Sequence, residues 1–178
     1  MNVYPDVPVW DSTLNQESRP LYLAALNEMK ARRVWVTFER EMIFRDDRKV
    51  FLNNLKDIID YFHENSMEVG LWTSSLGYGG SSSDDCAIQK KQSRWMRIRA
   101  VSGGRDDSID AFCPVDSGFV ENFLVWVKDL AGLGAELLML DDELCLSVRP
   151  GIGCFCDRHM KLLSKKLGES LELANLPK

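Results

Sequence analysis

The sequence predicts a single α/β domain over residues 1–178, because strand-like segments alternate with amphipathic helical segments along the chain. Segments 33–38, 67–73 and 137–140 have the length of strands and are rich in aliphatic, β-branched or aromatic residues. The helical segments repeat apolar residues at intervals of three and four. Alternation of this kind is typical of parallel sheets, so we expect one parallel sheet covered by helices.

Local sequence patterns predict the remaining elements. The run 7–11 is a short first strand, which Pro5 and Pro8 restrict to an edge or an irregular position. Pro20 suits the first turn of a helix, and Ser117 is the predicted cap of another helix. The predicted helices cover 21–30, 50–64, 119–131 and 157–173, and a hairpin is predicted within 94–112. No GxGxxG motif follows the first clear strand, so dinucleotide binding lacks its main sequence support.

Composition narrows the classes of partner. The net charge of −5 and the absence of a basic patch argue against a nucleic-acid partner. The chain has no run of 18 apolar residues, which argues against a membrane span. Its odd number of cysteines, five, and the lack of a signal-peptide pattern favour a reducing, cytoplasmic location. In such a location, clustered cysteines and histidines more often indicate metal binding than disulfides.

Three acidic residues follow an apolar run directly. Residues 137–140 are Leu-Leu-Met-Leu, a run that predicts a strand buried on both faces, and Asp141, Asp142 and Glu143 come next. Active sites of parallel α/β folds lie at the carboxyl ends of the strands. The three carboxylates repel one another, which should raise the pKa of Glu143 and suit it to general acid catalysis. Capping and salt bridging at the strand end is the structural alternative.

A short segment further along holds three soft metal ligands. Cys154, Cys156 and His159 form a C-x-C-x-x-H motif at the start of a predicted helix. Such a motif can wrap a tetrahedral zinc ion, and Cys113, which precedes the neighbouring predicted helix, is the natural fourth ligand. The structural alternative is a set of free buried cysteines, which behave as small apolar side chains.

The order of these motifs resembles a known enzyme family. Cys113-Pro114, a helix, a strand ending in Asp142-Glu143 and then C-x-C-x-x-H is similar to the catalytic barrel of the family 42 glycoside hydrolases, the β-galactosidases. The phrases EVGLWTSSLGYGG, LDDE and GCFCDRH look closer still to a group of bacterial proteins classed as glycoside hydrolases. The resemblance covers about residues 33–165 and implies a (β/α)8 (TIM) barrel. The chain supplies roughly the N-terminal half of such a barrel, which needs about 250 residues.

The resemblance also implies roles for site residues. In the family, an early cysteine and a later C-x-C-x-x-C motif hold a structural zinc, and here His159 replaces the fourth cysteine. An Asn-Glu pair ends the fourth barrel strand and supplies the acid/base, which implies Glu143 as general acid/base and places Asp142 where the family has asparagine. The family nucleophile lies on the seventh strand, which has no counterpart in these 178 residues.

The expected ligand is a carbohydrate. Asp142 should orient the sugar through a hydroxyl group, Asp141 should turn inward to support the strand end, and Trp72 should offer an apolar face to a pyranose. Glu39, at the end of an earlier strand, is a further candidate substrate contact. A partial barrel leaves apolar surface uncovered, so we expect either self-association or a missing C-terminal half of the barrel.

Two further functional classes stay open from the sequence. One is a non-catalytic carbohydrate-binding or assembly module derived from the barrel. The other is a metal-dependent enzyme in which Asp141, Asp142 and Glu143 bind a hard cation such as magnesium through oxygen. Metal analysis separates this last class from the other two.

Overall fold

The computed structural model describes residues 5–38, 47–73, 113–140 and 154–172. In these ranges, four parallel strands form one sheet and lie in the same order as in the sequence. The strands are β1 (Asp6–Trp10), β2 (Arg33–Thr37), β3 (Glu68–Thr73) and β4 (Leu137–Leu140). The helices are α1 (Arg19–Glu28), α2 (Arg48–Glu64), α3 (Ser117–Ala131) and α4 (Asp157–Leu167), with a short 3-10 helix at Asp11–Thr13. The predicted α/β class with a parallel sheet is confirmed, and the hairpin predicted within 94–112 lies outside the described residues.

The chain divides into two compact units. The sheet unit, residues 1–74 and 124–141, holds all four strands, α1, α2 and the larger part of α3. The cysteine unit, residues 75–123 and 142–178, holds the first residues of α3, the whole of α4 and the C-x-C-x-x-H motif. That residues 1–178 form a single domain is still a prediction from the sequence.

The core of the sheet unit lies on one face of the two central strands. Val34 is paired with Val69 and Val36 with Leu71 across the β2–β3 ladder, and all four side chains are buried. Helix α2 packs against β3, and its buried residues recur at the helical spacing that predicted it; they are Leu55, Ile58, Ile59 and Phe62. Each such side chain contributes about 1.5–3 kcal/mol through burial of apolar surface.

The other face of the same strands places a tryptophan against a glycine. Trp35 is paired with Gly70 on the neighbouring strand. A Cβ atom added at Gly70 would lie 2.4 Å from the Trp35 ring, well inside van der Waals contact. The absence of a side chain at Gly70 therefore lets the Trp35 indole lie across β3. This explains why a glycine, which strands otherwise disfavour, occupies this position.

Strand β4 is less buried than its sequence predicts. We expected a strand buried on both faces, but Leu137 is 43% exposed and the other three residues are only half-buried. The physical reason is its position, since among the described residues β4 is the last strand of the sheet and pairs with β3 alone. Apolar side chains elsewhere are also exposed, notably Trp10, Leu21, Leu124 and Leu167. The expected self-association stays a prediction.

Glu136 links α2, β3 and the start of β4. One carboxylate oxygen accepts a hydrogen bond of 2.8 Å from the Val69 N–H group and lies 3.1 Å from Nε2 of His63. Partial burial raises the pKa of Glu136, but the hydrogen bonds from Val69 and His63 outweigh it, and the pKa falls below its usual value. A carboxyl group with a lowered pKa stabilises the fold above its unfolded-state pKa and loses this contribution as the pH falls through the folded value.

We expect the substitution Glu136→Gln to lower the free energy of unfolding at pH 7. The loss should be no more than about 1 kcal/mol, because the side chain is 41% exposed and solvent screens its charge. The difference should shrink as the pH falls below the unfolded-state pKa of about 4.3 and through the lower pKa of the folded protein. Urea unfolding at pH 7 and pH 3 measures both values, with Glu121→Gln on the exposed side of α3 as the control. An equal loss at both pH values would show that the charge of Glu136 is irrelevant.

Candidate metal centre

Four predicted metal ligands meet in the cysteine unit. The ligand atoms of Cys113, Cys154, Cys156 and His159 all lie within 4.8 Å of one another. We call these four residues the Cys/His cluster. Their convergence confirms the expected proximity of Cys113 to a motif about 40 residues further along the chain.

The separations within the Cys/His cluster suit a tetrahedral ion. Bonds of about 2.3 Å to sulfur and 2.0–2.1 Å to nitrogen at tetrahedral angles place two sulfurs about 3.8 Å apart, and sulfur about 3.6 Å from nitrogen. The Cys113 sulfur lies 3.7 Å from that of Cys156 and 3.8 Å from that of Cys154. Nδ1 of His159 lies 3.6 Å from the Cys113 sulfur and 3.3 Å from the Cys156 sulfur. No disulfide joins these three cysteines, and the four side chains can hold one metal ion.

Two short backbone segments present the ligands. Cys113 begins a turn in which the Asp116 N–H group donates a 2.9 Å hydrogen bond to the Cys113 carbonyl oxygen. Cys156 is the N-cap residue of α4, with extended backbone and a carbonyl oxygen that accepts from the Met160 N–H group. His159 follows in the first turn of α4, so its ring returns toward the Cys156 thiol. The spacing C-x-C-x-x-H thus reflects an extended segment that enters a helix.

Burial makes the Cys113 thiol a poor acid. Cys113 is fully buried, and Cys154 and Cys156 are nearly so. The hydrogen bond with Cys154 and the burial of the side chain raise the pKa of the Cys113 thiol far above its ordinary value. A bound cation reverses this preference, because it coordinates the thiolate directly and releases the proton. The cluster is therefore much better suited to metal binding than to thiol nucleophilic chemistry.

The structure adds two residues that the sequence did not single out. The Asp116 carboxylate accepts a 2.9 Å hydrogen bond from the Phe119 N–H group, which makes Asp116 the cap of α3. The predicted cap, Ser117, is instead the first helical residue, so that prediction is wrong by one position. Arg158, next to His159, donates a 2.9 Å hydrogen bond to the Val115 carbonyl oxygen. Sequence reasoning could have identified Asp116, because Asp is a preferred residue at the N-cap position. The contact of Arg158 joins residues 43 positions apart, and no local pattern indicates it.

The other predicted site residues fall in two groups. Asp141, Asp142, Glu143 and Glu39 lie outside the described residues. Trp72 is half-buried near the carboxyl end of β3. It is paired with Thr37 on β2 and with Met139 on β4, and Thr37 is paired in turn with Trp10 on β1.

The two tryptophans, Trp10 and Trp72, therefore share one cross-strand row. Side chains in register across a parallel sheet point to the same face. The row lies at the carboxyl ends of the strands, which is the end where parallel α/β proteins bind ligands. Sequence reasoning missed Trp10, although the polar residues directly after it mark the strand end.

Comparisons with known proteins identify no family for this chain. The chain matches no protein-family model, and none of the curated proteins is significantly similar to it. In the described ranges, no helix has both the length and the apolar character needed to cross a membrane. Over the residues that the structure describes, the chain is an α/β protein with a four-stranded parallel sheet and a Cys/His cluster that can hold a metal ion.

Proposed function

We propose that the chain is the N-terminal part of a (β/α)8 barrel that acts on or binds carbohydrate and carries a structural zinc ion in the Cys/His cluster. The observation that carries the metal part is the spacing of the ligand atoms. Four of their sulfur–sulfur and sulfur–nitrogen separations are 3.3–3.8 Å, which suits one tetrahedral ion, and all four atoms lie within 4.8 Å of one another. Thiolates and an imidazole in a tetrahedron favour zinc. Four protein ligands leave no open position, which is typical of structural zinc and not of catalytic zinc.

The strand order supports the barrel. Each strand is the neighbour of the previous one, so the order β1-β2-β3-β4 contains no reversal. Because crossover connections between parallel strands are right-handed, consecutive neighbours place their helices on one face of the sheet. This arrangement is used by (β/α)8 barrels, whereas a doubly wound sheet reverses its strand order at the ligand site.

Two observations support a carbohydrate ligand. The first is the resemblance of the motif order to the family 42 glycoside hydrolases, which the sequence alone provides. The second is the row that contains Trp10 and Trp72 on one face at the carboxyl ends of β1 and β3. Trp10 is 55% exposed, and indole faces offer the flat apolar surface that suits the CH groups of a sugar ring. The Thr37 hydroxyl between them can hydrogen-bond to a sugar hydroxyl group.

The proposed chemistry centres on Glu143. It follows β4 by three positions, at the end where barrel sites lie. Protonated Glu143 would donate its proton to the glycosidic oxygen, and Asp142 would orient the sugar. A retaining mechanism needs a second carboxylate about 5–5.5 Å away, which in the family comes from a later strand. We therefore expect the 178-residue chain to bind sugars weakly and to hydrolyse them poorly.

Sugar titrations and hydrolysis assays test this proposal. Galactosides should change the tryptophan fluorescence of the zinc-loaded chain, and Trp72→Ala should weaken their binding. Any turnover of activated aryl glycosides should be lost in Glu143→Gln and kept in Glu121→Gln, an exposed glutamate of α3. Robust turnover that survives Glu143→Gln would overturn the catalytic assignment.

The same assays separate the two alternatives. Sugar binding without any turnover, unchanged in Glu143→Gln, would identify a non-catalytic carbohydrate module. Turnover that requires magnesium and is abolished by removal of Asp141 and Asp142 would identify the hard-cation enzyme. Neither outcome depends on zinc in the Cys/His cluster, so the metal proposal is tested separately.

A further inference from the structure

The turn that carries Cys113 is linked to the helix that carries His159 by contacts outside the Cys/His cluster. Nη1 of Arg158 donates a 2.9 Å hydrogen bond to the Val115 carbonyl oxygen. The same nitrogen lies 3.5 Å from Oδ2 of Asp116. Val115 and Asp116 belong to the Cys113 turn. Arg158 lies in the first turn of α4, between Cys156 and His159. These contacts therefore connect both backbone segments that supply ligands.

Asp116 connects the turn, the helix α3 and Arg158. Its N–H group donates to the Cys113 carbonyl oxygen, and its carboxylate caps α3 through the Phe119 N–H group. The residue is only 9% exposed, so its negative charge needs partners inside the protein. Arg158 supplies a positive charge to the oxygen that does not cap the helix, because Oδ1 accepts from Phe119 and Oδ2 lies 3.5 Å from Nη1 of Arg158.

We propose that Arg158 and Asp116 are positioning residues of the metal centre, which set the distance of Cys113 from Cys156 and His159. The inference rests on the proposed metal binding of the Cys/His cluster. Arg158 shares one helical turn with Cys156 and His159, so fixing Arg158 against the Cys113 turn fixes both ligands. A cluster held in this way needs less rearrangement when the ion binds, and partners behind the ligands commonly contribute 10–100-fold to metal affinity.

An ordinary surface ion pair would behave differently. Exposed pairs contribute little to stability, and the Arg158 side chain is 47% exposed. Such a pair would stabilise the metal-free and metal-loaded forms equally, and its loss would leave metal affinity unchanged. A positioning pair acts on the metal complex, so its loss changes metal affinity and the ligand field at the ion.

The test compares Arg158→Gln with Lys165→Gln, which removes the same charge from an exposed position of the same helix. Competition with a chromophoric chelator measures the zinc Kd, and absorption of the cobalt(II) form reports the geometry at the ion. We expect Arg158→Gln to raise the zinc Kd about 10–100-fold and to shift the cobalt bands, with Lys165→Gln unchanged. Arg158→Lys should recover only part of the affinity, because an ammonium group does not reproduce the planar fork of arginine.

A second variant distinguishes a positioning role from a simple folding defect. Asp116→Asn keeps a good helix cap but removes the charge that faces Arg158, and it should raise the zinc Kd less than Arg158→Gln does. Wild-type zinc affinity and cobalt spectra in both variants would overturn the positioning role while leaving the metal site intact. A wild-type chain that binds neither zinc nor cobalt would overturn this inference together with the proposed metal site.

Discussion

Replacing Cys156 with serine should weaken zinc binding by at least about 100-fold. Structural zinc sites bind with an apparent free energy of about 10–16 kcal/mol. An equal share of one bond in four is about 3 kcal/mol, which corresponds to a factor of about 100 in Kd. Cys156 should show the full effect, because its sulfur lies close to both Cys113 and His159 and is nearly inaccessible to solvent. Chelator competition measures the change.

The matched control is His159→Cys, which keeps a donor that zinc accepts. Zinc is held equally by three cysteines and one histidine or by four cysteines. His159→Cys should therefore retain tight binding, whereas His159→Ala should lose it to about the extent of Cys156→Ser. Removing zinc from the wild type should lower its melting temperature, since binding to the folded state stabilises it. Equal zinc affinity in the wild type and Cys156→Ser would contradict the assigned ligand set.

The substitution Trp126→Ala should destabilise the sheet unit by about 3–5 kcal/mol, the usual result of truncating a buried tryptophan. Trp126 is 1% exposed. Its ring centroid lies 6.1 Å from that of Phe38 and 5.9 Å from that of Phe51. The Arg48 guanidinium carbon lies 5.0 Å from the Trp126 ring centroid, a cation–π contact that adds to the burial. Residues of α2 and α3, together with Phe38 directly after β2, thus lose packing.

Trp10→Ala is the matched control for this loss. It removes the same side chain from a position that is 55% exposed, so little packing is lost. Denaturant unfolding followed by circular dichroism should show a large fall in the midpoint for Trp126→Ala and a small change for Trp10→Ala. Comparable losses in both variants would show that the aromatic cluster around Trp126 is not a main source of stability.

Much of the described fold follows from short-range patterns. Apolar residues at intervals of three and four predicted α2 and α3 to within two residues at each end. The end of α4 was predicted at residue 173, but the helix ends at Leu167 because Gly168 adopts a left-handed conformation, φ 72°. Such a glycine commonly terminates a helix, and the continuing leucine pattern beyond it concealed the signal.

Features that depend on distant residues were harder to predict. The run 137–140 has the composition of a strand buried on both faces, but its burial depends on neighbours that local sequence does not specify. The Cys/His cluster was predictable because C-x-C-x-x-H constrains three ligands locally and the α/β order brings Cys113 near. The contacts of Arg158 join residues 42 and 43 positions apart, and no spacing rule indicates them.

The functional roles of Asp141, Asp142 and Glu143 stay predictions from the sequence. Their role depends on carboxylate separations and burial, and they lie outside the described residues. The described part of the chain supports their placement only through β4, which ends at Leu140 directly before them.

X-ray absorption at the zinc edge of the purified, zinc-loaded chain tests the proposed metal centre directly. We expect one zinc per chain, with three sulfur neighbours at about 2.3 Å and one nitrogen neighbour at about 2.0–2.1 Å. The same measurement on Cys156→Ser should show the loss of one sulfur neighbour. A wild-type spectrum with only oxygen and nitrogen neighbours, or a chain that retains no zinc, would contradict the metal centre built from Cys113, Cys154, Cys156 and His159.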